Sequence, residues 1–97
     1  MKNPNRDTVT QLIDLPNIGK AIESDLLLIG IDRPQQLIGK NPIDLYDKLC
    51  IITGKKHDLC VLDTFMSVVH FMESGESLPW WSFTKDRKTM LKEGNHE

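Results

Sequence analysis

Three groups of residues in this chain could do chemistry. The first is Leu15-Pro16-Asn17-Ile18-Gly19-Lys20, a tight turn between two apolar-periodic segments. At such a turn the backbone N–H groups of Ile18, Gly19 and Lys20 stand at the start of a helix, where helical N–H groups lack an intrahelical acceptor. With the helix dipole they form an anion site suited to phosphate, and the Lys20 ammonium adds a point charge. Asn17 tolerates a left-handed backbone better than most residues, although glycine there would let a phosphate approach closer. The plainer reading of the same residues is a sharp connector between two packed helices.

The second group is Cys50, His57 and Cys60, which are metal-ligand types. Their spacing is not a common zinc arrangement, and His70 would have to reach in from far along the next helix. Two small buried thiols and a solvated His57 are the simpler expectation, with no metal. Cys60, in the first turn of a helix, could have its thiol made reactive by that helix terminus. The third group, Trp80, Trp81 and Phe83, could stack on nucleic-acid bases or bind a partner. Bounded by Pro79, these aromatics more simply strap across a small core. No nucleophile–base pair and no pair of carboxylates stands out, so neither an enzyme nor a cofactor is expected.

The elements that must position these groups read as helices throughout. Val9, Leu12 and Ile13 form an apolar stripe that Asp7 or Thr8 can cap, and Pro16 ends it. Ile18, Ile22, Leu26 and Ile29 recur at helical spacing from about Gly19, closed by Gly30 in a left-handed cap. Asp32 can cap a short segment running from Gln35 to Ile38, with Pro34 in its first turn. Asn41-Pro42-Ile43-Asp44 is a strong helix start, continued by Leu45, Leu49 and Ile52 and stopped by Gly54.

Gly39-Lys40-Asn41 then looks like a second inter-helix turn, echoing the first without its letters. After the basic loop Lys55-Lys56-His57, Asp58 caps a long helix with Val61, Leu62, Phe65, Val68, Val69 and Met72 toward the core, ending near Gly75. Thr84 to Lys92 reads as a short helix or a frayed tail. No stretch alternates with a period of two. The expectation is all-α, a compact domain of four to six helices built on a helix-hairpin-helix of SAM-like architecture.

Ninety-seven residues make one domain, with 1–6 and 93–97 expected to be flexible. The charges are mixed, 12 basic against 14 acidic for a net −2, so any nucleic-acid partner must be held by local clusters rather than by overall charge. The longest apolar runs are four residues, far short of the ~20 that a membrane span needs, and no basic, apolar leader opens the chain. With two cysteines, a cytoplasmic protein with free thiols is the expectation.

Several spaced stretches resemble one family: Leu15 to Lys20, Asp25-Leu26, Gly30-Ile31, Pro42-Ile43-Asp44-Leu45-Tyr46, Asp58-Leu59-Cys60-Val61-Leu62-Asp63 and Pro79-Trp80-Trp81. The chain resembles the small bacterial pathogenicity locus or mitomycin-resistance-like proteins over nearly its whole length. The hairpin alone is also similar to the C-terminal domain of TfoX-type competence regulators. The resemblance implies a helix-hairpin-helix fold and association with DNA; it implies no reaction.

The functional expectation is therefore a non-catalytic module that contacts DNA phosphates weakly and without sequence specificity, in repair or uptake of DNA. Asn17, Ile18, Gly19, Lys20 and Lys40 would make the contact, with Lys55, Lys56, Arg87 and Lys88 as auxiliary cations. Lys20 is offset locally by Asp14 and Glu23. No helix carries an Arg/Asn/Gln set suited to base edges. The alternative is a protein–protein interaction module that uses the Trp80/Trp81 region or the helix termini and binds no nucleic acid.

Overall fold

A computed structural model describes residues 5–93, which form four α-helices and three short 3-10 turns, with no strand among them. The helices are α1 (Lys20–Leu28), α2 (Pro42–Thr53), α3 (Leu59–Ser74) and α4 (Thr84–Glu93), and the 3-10 turns are Leu12–Asp14, Pro34–Leu37 and Trp80–Phe83. The all-α expectation holds.

The centre is α3. Asp58 caps it by accepting from the Cys60 N–H at 3.0 Å, and Gly75 closes it with φ 82°. Every residue from Leu62 to Val69 is buried, as are Phe71 and Met72. A helix apolar on nearly all sides must be covered on all sides, and the other elements wrap it. Its buried polar side chains are satisfied, Thr64 by the Cys60 carbonyl at 2.9 Å and Ser67 by the Thr64 carbonyl at 2.7 Å. The core completed around it includes Leu15, Leu26, Leu37 and Leu49, each fully buried.

The first limb of the hairpin differs from expectation. It is one 3-10 turn, Leu12–Asp14, capped by neither Asp7 nor Thr8. The Asp14 carboxylate folds back to accept from the N–H groups of Thr10 (3.3 Å) and Gln11 (3.1 Å). That local bond satisfies the backbone without a helix, and Leu15, ahead of Pro16, is already extended. The same device recurs 22 residues on. Gln36 Oε1 accepts from the N–H groups of Asp32 (2.6 Å) and Arg33 (2.8 Å), so Asp32 is not the cap it was expected to be.

The offset of 22 pairs further features. Leu15 matches Leu37, both fully buried, and Asn17 (φ 68°) matches Gly39 (φ 82°). Gly19, the N-cap of α1, matches Asn41, the N-cap of α2. Both helices also end alike. The Ile31 N–H reaches the Leu26 carbonyl at 2.9 Å, and the Lys55 N–H reaches the Cys50 carbonyl at 3.2 Å. Gly30 and Gly54 take the left-handed conformation that this closure needs. The second turn is a geometric repeat of the first.

Other details depart from the periodic reading. Ile52 is 47% exposed rather than core-facing, and its neighbour Ile51 is 79% exposed. Of the segments expected to be flexible, residues 1–4 and 94–97 lie outside the described residues. Arg6 docks on the end of α3, donating to the carbonyls of Glu73 (2.5 Å) and Met72 (3.3 Å).

Candidate nucleic-acid interface

Asn17 makes the corner of the first turn, the one non-glycine among the described residues with a left-handed backbone. Its side chain points inward. Nδ2 donates to Ser67 Oγ on α3 at 3.0 Å and to the Leu78 carbonyl at 2.8 Å. Asn17 thus holds the turn from beneath, its amide spent on the protein's own acceptors. Ile18 is buried beside it, while Gly19 and Lys20 are exposed.

The three principal helix starts differ. Asn41 Oδ1 accepts from the Ile43 N–H at 2.8 Å in α2, and Asp58 does the same for α3. At α1 the N-cap is Gly19, which has no side chain to give. The first-turn N–H groups of an α-helix have no intrahelical acceptor, so α1 turns uncapped donors and the positive end of its dipole toward solvent beside Lys20. Asp14 spends its carboxylate on Thr10 and Gln11, which draws that anion back into its own turn.

The second turn is occupied from within. The Gly39 N–H donates to Glu73 Oε2 at 2.8 Å, so a carboxylate from the end of α3 already sits against the position equivalent to Asn17. Lys40 is exposed next to it.

The auxiliary cations divide. Lys55, Lys56 and Lys88 are exposed. Arg87 is not a surface cation: its side chain is 12% exposed, and Nε and Nη2 lie 2.8 and 3.2 Å from the Asp63 carboxylate. Thr84 Oγ1 donates to the same carboxylate at 2.8 Å. A carboxylate buried on α3 needs a paired cation, and Arg87 is that cation. The contact holds the guanidinium charged, raising its pKa further, and it fastens α4 as a helix rather than a frayed tail.

The cysteine group does not assemble into a ligand set. The His57 ring is half-buried rather than solvated, and its Nε2 lies 2.8 Å from Thr53 Oγ1. The Tyr46 hydroxyl donates to the His57 carbonyl. Burial and the neighbouring Cys50 push that phenol up to about 12. Cys60 does not become reactive through its helix terminus: burial and then the Asp58 carboxylate raise its thiol pKa instead. Among the described residues no three His, Cys, Asp or Glu side chains gather where they could hold a metal ion.

The aromatics also separate. Phe83 is buried and Trp80 half-buried, in keeping with a strap, but Trp81 is 63% exposed. The two indoles meet edge to face, centroids 5.8 Å apart.

Residues 5–89 match the family described as pathogenicity locus. The mitomycin resistance protein McrB of Streptomyces lavendulae is 34% identical over 88 residues, which are 91% of this chain and 84% of that protein. The chain belongs to the pathogenicity locus family, as the resemblance of its motifs implied. No solved structure matches it. Among the described residues no helix is long and apolar enough to cross a membrane.

Proposed function

We propose that this member of the pathogenicity locus family is a non-catalytic module that grips nucleic-acid phosphate at the first turn. The observation that carries the reading is the start of α1. Gly19 and Lys20 are exposed, the helix lacks a side-chain cap, and α2 and α3 both have one. A phosphate oxygen would supply the missing acceptor, and Lys20 its counter-charge. Lys40 and the exposed Lys55 and Lys56 would add contacts that carry no sequence information. With two to four phosphates neutralised, log K falls with log salt at about 0.9 per phosphate on duplex DNA, which describes a weak binder.

Amide shifts followed while labelled protein is titrated with duplex DNA at low salt test the site. Perturbation centred on Gly19 and Lys20, lost in Lys20→Glu, supports it. Shifts that leave those amides unmoved while others respond overturn it.

A second reading has its own observation. Leu27, Leu28, Ile51 and Ile52 are all about half exposed or more at the ends of α1 and α2, which suits a protein partner. It predicts self-association or protein capture indifferent to Lys20→Glu.

A further inference from the structure

The Trp80–Phe83 turn runs directly into α4 at Thr84. Along this continuous stretch Phe83 is buried, and Arg87, Met90 and Leu91 are half-buried against the body of the protein. Lys85 and Lys88, three residues apart on α4, lie on one side of that helix, and Trp81 stands in the 3-10 turn that leads directly into it. All three are exposed, Trp81 by 63%. The outcome is one exposed indole and two exposed lysines on the same short stretch of chain.

The surface is rigidly mounted. Asp63, fully buried on α3, binds α4 at Thr84 Oγ1 and at the Arg87 guanidinium. Trp80 presents its ring at 84° to Trp81 and braces it. Upstream, the Leu78 carbonyl accepts from Asn17 Nδ2 at 2.8 Å. Trp81 is three residues on from Leu78, at most about 11 Å of chain, so the aromatic surface lies close to the first turn.

An exposed indole flanked by cations fits an unpaired base with its phosphates. Bases in a duplex are stacked on one another and offer no free face, whereas a single strand does. We infer that Trp81, Lys85 and Lys88 form a stacking platform for single-stranded nucleic acid, separate from the phosphate grip at the first turn. The indole takes one base face, and the two lysines take the flanking phosphates. The platform reads no sequence, because every base has a π-face. Arg87 positions it through Asp63 and does not touch the strand. Asp86, on the same helix, is exposed but lies off the side that carries Lys85 and Lys88.

The chain contains two tryptophans, so Trp80→Phe leaves Trp81 as the sole indole reporter in the full-length protein. Adding oligothymidylate should quench its emission. An abasic strand of equal length and anionic phospholipid vesicles should not. In the wild-type background Trp81→Ala should weaken oligothymidylate binding roughly tenfold. Lys85→Gln with Lys88→Gln should lower the salt slope by about 1.4, at about 0.7 per phosphate on a single strand.

Emission unmoved by oligothymidylate, or quenched equally by the abasic strand or the vesicles, overturns the platform. Duplex titration of Lys20→Glu reports on the first turn alone, so either reading can fail without the other.

Discussion

The Asn17 side-chain amide lies 3.0 Å from the Ser67 hydroxyl, bolting the corner of the first turn to the most buried part of α3. One residue therefore supplies a left-handed backbone (φ 68°) and a cross-link to the core. The two roles can be separated by substitution. Asn17→Gly keeps the backbone conformation without strain but loses both side-chain hydrogen bonds, at a cost of about 1–3 kcal/mol. Asn17→Ala loses the same bonds and keeps a Cβ in the left-handed region, where alanine is roughly 1 kcal/mol less favourable than glycine. Urea unfolding of the two variants should rank alanine below glycine. Equal losses would mean that the backbone stores no strain there.

The Asp63–Arg87 pair should behave as a buried ion pair, not a surface one. Asp63→Ala leaves the guanidinium buried without its partner, and we expect a loss of about 3–5 kcal/mol. Exchanging both, Asp63→Leu with Arg87→Met, should recover most of that loss, because the desolvation cost disappears with the charges. A thermal melt of the double variant no better than Asp63→Ala would show that the carboxylate is needed for its bond to Thr84 instead.

Two groups contribute to the pH dependence of stability in opposite directions. The single tyrosine of the chain, Tyr46, is raised from 10.0 to about 12. A raised folded-state pKa contributes stability that is whole below the unfolded value near 10 and is lost as pH climbs through about 12. Absorbance of the phenolate, which belongs to Tyr46 alone, should titrate near 12 in the folded protein and near 10 in urea. Asp58 is held below its ordinary value by the Cys60 N–H, so its contribution is present above about pH 4 and fades as pH falls below that. Asp58→Asn should flatten the acid limb of a stability profile and, because the Asp58 charge also helps to raise Tyr46 and Cys60, soften the alkaline limb by a smaller amount.

How much of this was legible in the sequence follows from which signals are local. Asn41, Asp58, Gly30, Gly54 and Gly75 mark five helix termini correctly, because capping is decided within a few residues. The stripe at Val9, Leu12 and Ile13 was misread as a helix. Its apolar positions are real, with Val9 and Leu12 buried, but Asp14 satisfies the backbone locally and the chain stays irregular. Arg87 was read as a free cation because the carboxylate that takes it lies 24 residues away on another helix. The exposure of Trp81 beside the burial of Phe83 was likewise invisible, since that choice belongs to packing against α3.

The repeat at an offset of 22 was only suspected, for a related reason. Asp14 and Gln36 do the same work with different letters, and so do Asn17 and Gly39. What is repeated is a set of backbone conformations and acceptors. Carboxylate and carboxamide oxygens, or Asn and Gly at positive φ, substitute for each other physically without resembling each other as characters.

The missing cap of α1 offers the sharpest test of the phosphate reading, because stability and binding should move in opposite directions. A Cβ at Gly19 would meet nothing within 4 Å, and its φ of −108° suits any residue. Gly19→Asp places a carboxylate on the uncapped N–H groups of α1. It should stabilise the fold by a few tenths to about 1 kcal/mol through capping and reduced unfolded-state freedom. The same carboxylate would fill the site proposed for phosphate and repel it, so nucleic-acid affinity at the first turn should fall sharply. Gly19→Ala adds the Cβ without the acceptor and should leave binding close to wild type. A Gly19→Asp protein that melts higher and still binds duplex DNA as well as Gly19→Ala would remove the α1 terminus from the interface, whatever else the protein contacts.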